Sequence, residues 1–107
     1  MNELATPTEL AGLVDFGKGA VVSKTLVKDK AGTVTLFAFD SGEGLSEHSA
    51  PYDALVLGVD GSAQVRIGSE EHAVSSGQIL RLPANVPHGL KAVEPFKMLL
   101  VMIRSGA

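Results

Sequence analysis

From Ala20 onward the chain is a succession of short β-branched or alternating apolar runs, each cut off by turn residues after roughly eight to twelve positions. Alternating βαβ units would need helical stretches between the strands, and this part of the sequence has none, so the punctuation predicts an all-β domain. Strands are expected at 20–27, 33–40, 54–59, 62–67, 71–75, 78–82, 88–93 and 96–104, with a loop over 41–47. The breaks between them are Asp29-Lys30-Ala31-Gly32, Asp60-Gly61, Gly68-Ser69, Ser76-Gly77, the proline-bounded stretch 83–87, and Pro95. Asp-Gly in particular is a strong hairpin signal. Ala63, Val65 and Ile67 alternate with Gln64 and Arg66, which commits one face of that strand to a core and the other to water. About eight or nine such strands make a sandwich, barrel or jelly roll.

Ahead of the strands, Thr6-Pro7-Thr8-Glu9 reads as a capping box with proline at the first helical position, and predicts a short helix over 9–14 packed across one end of the barrel. With 107 residues the chain is long enough for one core and too short for two, so residues 1–18 are read as an N-terminal segment and 19–107 as the β-domain. Apolar residues at 45% and charged residues at 20% place it among globular chains, outside the composition of disorder. A net charge of −3 without basic clustering argues against nucleic acid as a partner. No run approaches the roughly 18 apolar residues of a membrane span, and no cationic start leads into an apolar stretch, so no membrane association is expected and the cytoplasm is the default location. There is no cysteine, so any metal must be held by imidazole, carboxylate, amide oxygen or thioether.

Three histidines are present, His48, His72 and His88, and two of them lie among glycines and prolines. The segment Gly42-Glu43-Gly44-Leu45-Ser46-Glu47-His48-Ser49-Ala50-Pro51-Tyr52-Asp53-Ala54, continuing to Gly61, resembles the first cupin motif, G-x5-H-x-H-x3-E-x6-G. Residues 77–92, with Gly77, Pro83, Asn85 and His88, resemble the second, G-x5-P-x-G-x2-H-x3-N. The fifteen residues between them, 62–76, are similar in length to the intermotif of small single-domain cupins. The match spans about half the chain, and the resemblance implies a single cupin-type jelly-roll β-barrel.

In that family the two histidines and the glutamate of the first motif, with the histidine of the second, hold a divalent metal inside the barrel. Carried over by position, His48 and His88 remain as metal ligands, while Ala50 and Ala54 stand where the second histidine and the glutamate would be. Asn85 stands for the second glycine of the second motif, a mild change because asparagine tolerates the left-handed conformation. On an extended chain, positions 48, 50 and 54 share parity and face one cavity. The resemblance therefore implies one divalent ion (zinc, iron, nickel, manganese or copper) held by a reduced set, or none. Glu47, Asp53, Gln64 and His72 are further candidate donors without support from the motif. Met98 and Met102, on one face of the last strand with Leu100 between them, read as core filler; thioether with imidazole is also a set that suits copper(I). Tyr52 and Arg81 complete the expected pocket of His48, Tyr52, Arg81, His88, Met98 and Met102, with Arg81 free by parity to face either way.

Three functions stay open. One is a small-molecule-binding cupin, metal-free or weakly metallated. Another is a metal-dependent cupin enzyme, of dioxygenase, isomerase or lyase type, acting on a small organic acid. The third is a non-catalytic sensor or dimerisation module. A homodimer is expected, paired through the strand at 21–27 or the apolar last strand at 98–103. No catalytic residue is assigned.

Overall fold

In the computed structural model, which describes residues 3–104 with Glu3 by its backbone alone, the outer parts of the two expected segments, residues 1–2 and 105–107, lie outside the described residues. Among the described residues, nine strands follow two short 3-10 turns, Glu3–Ala5 and Leu10–Leu13. The strands are β1 Val21–Asp29, β2 Gly32–Phe39, β3 Gly44–His48, β4 Asp53–Asp60, β5 Ser62–Ile67, β6 Glu70–Ser75, β7 Ile79–Leu82, β8 His88–Ala92 and β9 Phe96–Ile103. They form two antiparallel sheets, ordered β1-β2-β9-β4-β7 and β3-β8-β5-β6. Among the described residues no helix is long and apolar enough to cross a membrane.

Period-two patterning sorts the side chains as the sequence leads one to expect. On β5, Ala63 and Val65 are buried while Gln64 and Arg66 are exposed. On β9 and β2, Phe96, Met98 and Phe39 turn inward and join Ala54, Val56, Leu82, Ala92 and Val74 in one core between the sheets. Phe39 and Phe96 are direct cross-strand partners with stacked rings 6.1 Å apart, and neither is exposed. Each such ring removed from water contributes about 1.5–3 kcal/mol. The register places them, with Ala63 opposite Ala92, at one end of the barrel and fills that end. At the other end the facing pairs are Ala54–Met102, Ala54–Leu82 and Ile67–His88, where the small side chain of Ala54 leaves space.

Three expectations are corrected. The region 9–14 is no α-helix but the four-residue 3-10 turn Leu10–Leu13. Glu9 is extended and makes no side-chain cap, while the Thr8 hydroxyl donates to the Thr6 carbonyl at 2.9 Å, so the capping box does not close. The segment also lies against the outward face of the larger sheet, not across a barrel end. Leu13 and the buried Val14 pack there with Leu36, Ala38, Val22 and Leu99. Lys97, 8% exposed, donates from Nζ to the Ala11 carbonyl at 2.6 Å and sits 4.8 Å from the centre of the Phe16 ring, fastening the strap to β9.

The loop expected over 41–47 contains strand β3, paired at the edge of the smaller sheet with β8. Finally, β9 is the centre strand of its sheet, with neighbours on both sides. It has no free edge, so of the two strands expected to pair copies, β1 alone lies at an edge.

Candidate functional site

The open end of the barrel is built by the residues that end β3 and begin β8. His48 and His88 are direct cross-strand partners. The pairing of β3 with β8 shifts between Leu45 and His48, and this irregularity brings the two histidines opposite one another. Gly89 makes room for it: a Cβ there would press on the Leu45 carbonyl oxygen at 3.1 Å and the Glu47 nitrogen at 3.3 Å.

The two rings meet edge to face with centres 4.5 Å apart. His48 Nδ1 lies 2.9 Å from the Ser46 carbonyl oxygen and His88 Nδ1 lies 3.1 Å from that of Val86. A carbonyl only accepts, so both Nδ1 atoms carry the proton and, in the neutral rings, both Nε2 atoms keep a lone pair. His48 is exposed at the mouth and His88 half-buried. Burial is the main reason that His88 titrates below the usual histidine value, and the neighbouring His48 adds to it, against the opposing pull of the Val86 carbonyl.

Below the histidines lies a cavity of about 50 Å³. Its wall includes Ala50, Tyr52, Ala54, Val65, Leu82 and Leu90 with Met98, Leu100 and Met102 of β9. The parity argument for positions 48, 50 and 54 therefore describes three residues that line one space. His48, His88, Tyr52, Met98 and Met102, all expected in the pocket, come together in this wall.

Arg81 does not. It pairs with Leu55 on the outward face, and its exposed guanidinium binds Asp53 Oδ2 at 2.9 Å. Alternation decides the matter, because Leu82 is the inward residue of that strand.

Asp53 has a part that the sequence reading missed. Its Oδ1 accepts the Ala84 N–H at 2.8 Å, so one carboxylate ties the start of β4 both to β7 and to the loop that leads to His88. These two bonds hold it below the usual carboxylate range, the Ala84 bond more than the Arg81 bond. Nearby, the Asn85 N–H donates to the Ala50 carbonyl at 2.7 Å, with Asn85 in the left-handed region at φ 64°. The loops that carry the two histidines are thus stitched together. The available signal was an aspartate between Tyr52 and a strand, which is too common to single out.

A divalent ion fits this donor set poorly. Among the described residues no group of three or more histidine, aspartate or glutamate side chains is placed to hold a metal. Of the further candidate donors, Glu47 and Gln64 border a separate groove on the outer face of the smaller sheet with Arg66, Glu71 and Lys91. His72 sits on β6 beside Glu70, 3.7 Å away, and Asp53 is engaged with Arg81 and Ala84. Two imidazoles fall short of the three protein ligands usual at catalytic zinc.

Comparison with known proteins agrees with this architecture. Residues 35–103, well over half the chain, match the cupin domain family. A conserved protein of unknown function from Streptococcus pyogenes is 37% identical with a TM-score of 0.92, the alignment covering 96% of this chain and 90% of that one. A cupin superfamily protein from Desulfitobacterium hafniense is 27% identical with a TM-score of 0.90, covering 94% and 93%. A cupin 2 conserved barrel domain protein from Leptotrichia buccalis is 38% identical with a TM-score of 0.85; 88% of this chain aligns with 46% of that longer one. Among curated proteins nothing matches. On its matched residues and its two-sheet barrel, the chain belongs to the cupin family.

Proposed function

We propose that this cupin binds one compact, largely apolar molecule in its barrel, with the ligand's polar end at His48 and His88. The observation that carries the reading is the tautomer of the two rings. With both Nδ1–H groups given to carbonyls, the neutral imidazoles offer acceptors, so the favoured ligand end is a donor such as a hydroxyl or an amide N–H. The remaining wall is aliphatic or thioether apart from the Tyr52 side chain, which suits a short hydrocarbon body. At about 50 Å³ the space is smaller than a cavity of about 150 Å³ that accepts benzene, so a ring-sized ligand must project through the mouth.

Short-chain alcohols, small amides and phenol are the probes, titrated by calorimetry against the native chain and the His48→Ala, His88→Ala double variant. Saturable binding that the double variant loses supports the reading. Equal affinity in both proteins removes the histidines from it. The alternative of a metal-dependent enzyme draws no support from a donor set two protein ligands short of the family motif.

A further inference from the structure

We propose that the groove on the outer face of the smaller sheet, turned away from the barrel cavity, binds a short zwitterionic peptide, of which a free dipeptide is the simplest case.

The groove follows from alternation. On β8 His88 and Leu90 line the cavity, so Gly89 and Lys91 take the opposite face, and the register sets Gln64 and Arg66 of β5 and Glu71 of β6 beside them. Gly89 brings no side chain. Its place on that face, between Glu47 of β3 and Arg66, is left as a depression. The space is about 400 Å³, within the roughly 300–1,000 Å³ of small-molecule sites.

The charges of the wall select the class of ligand. Two cations, Arg66 and Lys91, and two anions, Glu47 and Glu71, line it together with the Gln64 amide. A simple anion or cation meets like charge there as well as opposite charge, whereas a molecule with both an ammonium and a carboxylate satisfies each sign. Arg66 and Glu71 form an ion pair at 3.4 Å, but both side chains are more than half exposed and such a pair contributes little, so either can turn to a ligand. Among the described residues, the side chains of Glu47, Gln64 and Lys91 have no hydrogen-bond or ion-pair partner.

Spacing narrows the class further. Glu47 and Arg66 stand on the strands either side of β8, two strand spacings or about 9–10 Å apart at the backbone, across the gap at Gly89. An extended dipeptide spans at most about 7 Å, so it lies across that gap with its ammonium at Glu47 and its carboxylate at Arg66. Gln64, two residues from Arg66 on the same face, offers both a donor and an acceptor, the pair that a peptide bond needs.

The test is a backbone-amide NMR titration of the full chain with dialanine at low salt. N-acetyl-dialanine, which lacks the ammonium, and dialanine amide, which lacks the carboxylate, run beside it. Dialanine is expected to move the Gly89, Gln64 and Arg66 amide resonances saturably with a Kd of about 1–10 mM, and each blocked peptide to bind about fivefold or more weakly. In Glu47→Gln the acetylated and free peptides should bind alike, and in Arg66→Gln the amidated and free ones. The His48→Ala, His88→Ala variant should bind dialanine as the native chain does, which separates this groove from the cavity.

No saturable shift, equal binding of all three peptides by the native chain, or shifts gathered at the cavity instead of the groove each overturn the proposal. Tighter binding of the acetylated peptide than of dialanine would mark a plain anion site and overturn it too. So would self-association of the native chain that Glu47→Gln or Arg66→Gln disperses, since a second copy would then occupy the face. Should a variant fail to fold, the blocked peptides on the native chain decide alone.

Discussion

His48 and His88 face one another across β3 and β8 with ring centres 4.5 Å apart, and each gives its Nδ1–H to a carbonyl two residues earlier in the chain. That relationship turns the barrel mouth into a pair of acceptors while both rings are neutral. It also makes the mouth sensitive to protonation, since a second proton on either ring abolishes a lone pair and sets a cation beside its neighbour.

Stability is expected to fall as the pH drops through the histidine range. His88 titrates below its usual value in the folded chain, chiefly from burial, while the unfolded chain titrates near about pH 6.5. Below that value the unfolded state binds more protons, so this contribution is complete at higher pH and is lost as pH falls toward the folded value. Urea unfolding at a series of pH values checks it: the native chain loses stability on acidification, and His88→Gln flattens the slope. An unchanged slope in the variant would place the effect elsewhere.

Asp53 is expected to organise the mouth from outside the cavity. Asp53→Asn keeps an acceptor for the Ala84 N–H and loses the charge facing Arg81, while Asp53→Ala loses both. The alanine variant should therefore melt at a lower temperature than the asparagine variant, and both below the native chain. Because its pKa is depressed, the aspartate's own contribution is present above about pH 4 and disappears as pH falls through the folded value. Thermal melts at neutral and acidic pH read this order, and identical melting of all three proteins would remove Asp53 from the account.

Restoring the missing donors should create a divalent site. Ala50 and Ala54 line the cavity with both histidines, so Ala50→His with Ala54→Glu rebuilds a set of three imidazoles and one carboxylate. Zinc is then expected to raise the melting temperature of the double variant and leave the native chain little changed, as tight binding to the folded state must stabilise it. A double variant that stays folded yet ignores zinc would show that the four positions do not converge.

Gly61 should resist substitution more than any neighbour in its turn. It has φ 75°, and a Cβ would run into the Pro95 carbonyl oxygen. Gly61→Ala is expected to cost about 1–3 kcal/mol, measured by urea unfolding, because neither the conformation nor the contact can relax cheaply. A cost below about 0.5 kcal/mol, the level of an ordinary surface change, would contradict it.

Much of the fold was legible because alternation and turn chemistry are local. The strands from β4 to β9 follow from runs such as Ala63-Gln64-Val65-Arg66-Ile67 and from Asp60-Gly61. β3 was hidden because Ser46, Glu47 and His48 are all exposed, so an edge strand carried no apolar alternation. The expected N-terminal helix failed for the opposite reason: Leu13 and Val14 are held by the outward face of a sheet built from distant residues, and that packing overrides the local cap. In the site, parity was enough to group His48, Ala50 and Ala54, and the resemblance supplied His88. Arg81 needed the register of β7 against β4, and the part played by Asp53 needed the path of a loop some thirty residues away. Neither is written in any one segment.

The central claim is a single enterable cavity with imidazole acceptors at its mouth, and the most direct measurement is a phenol titration followed by methyl and imidazole-nitrogen NMR. Saturable shifts of the Met98 and Met102 methyl groups, together with the Nε2 resonances of His48 and His88, are the predicted result. Shifts confined to the outer sheet faces, or histidine Nε2 resonances unmoved at saturation, would contradict it.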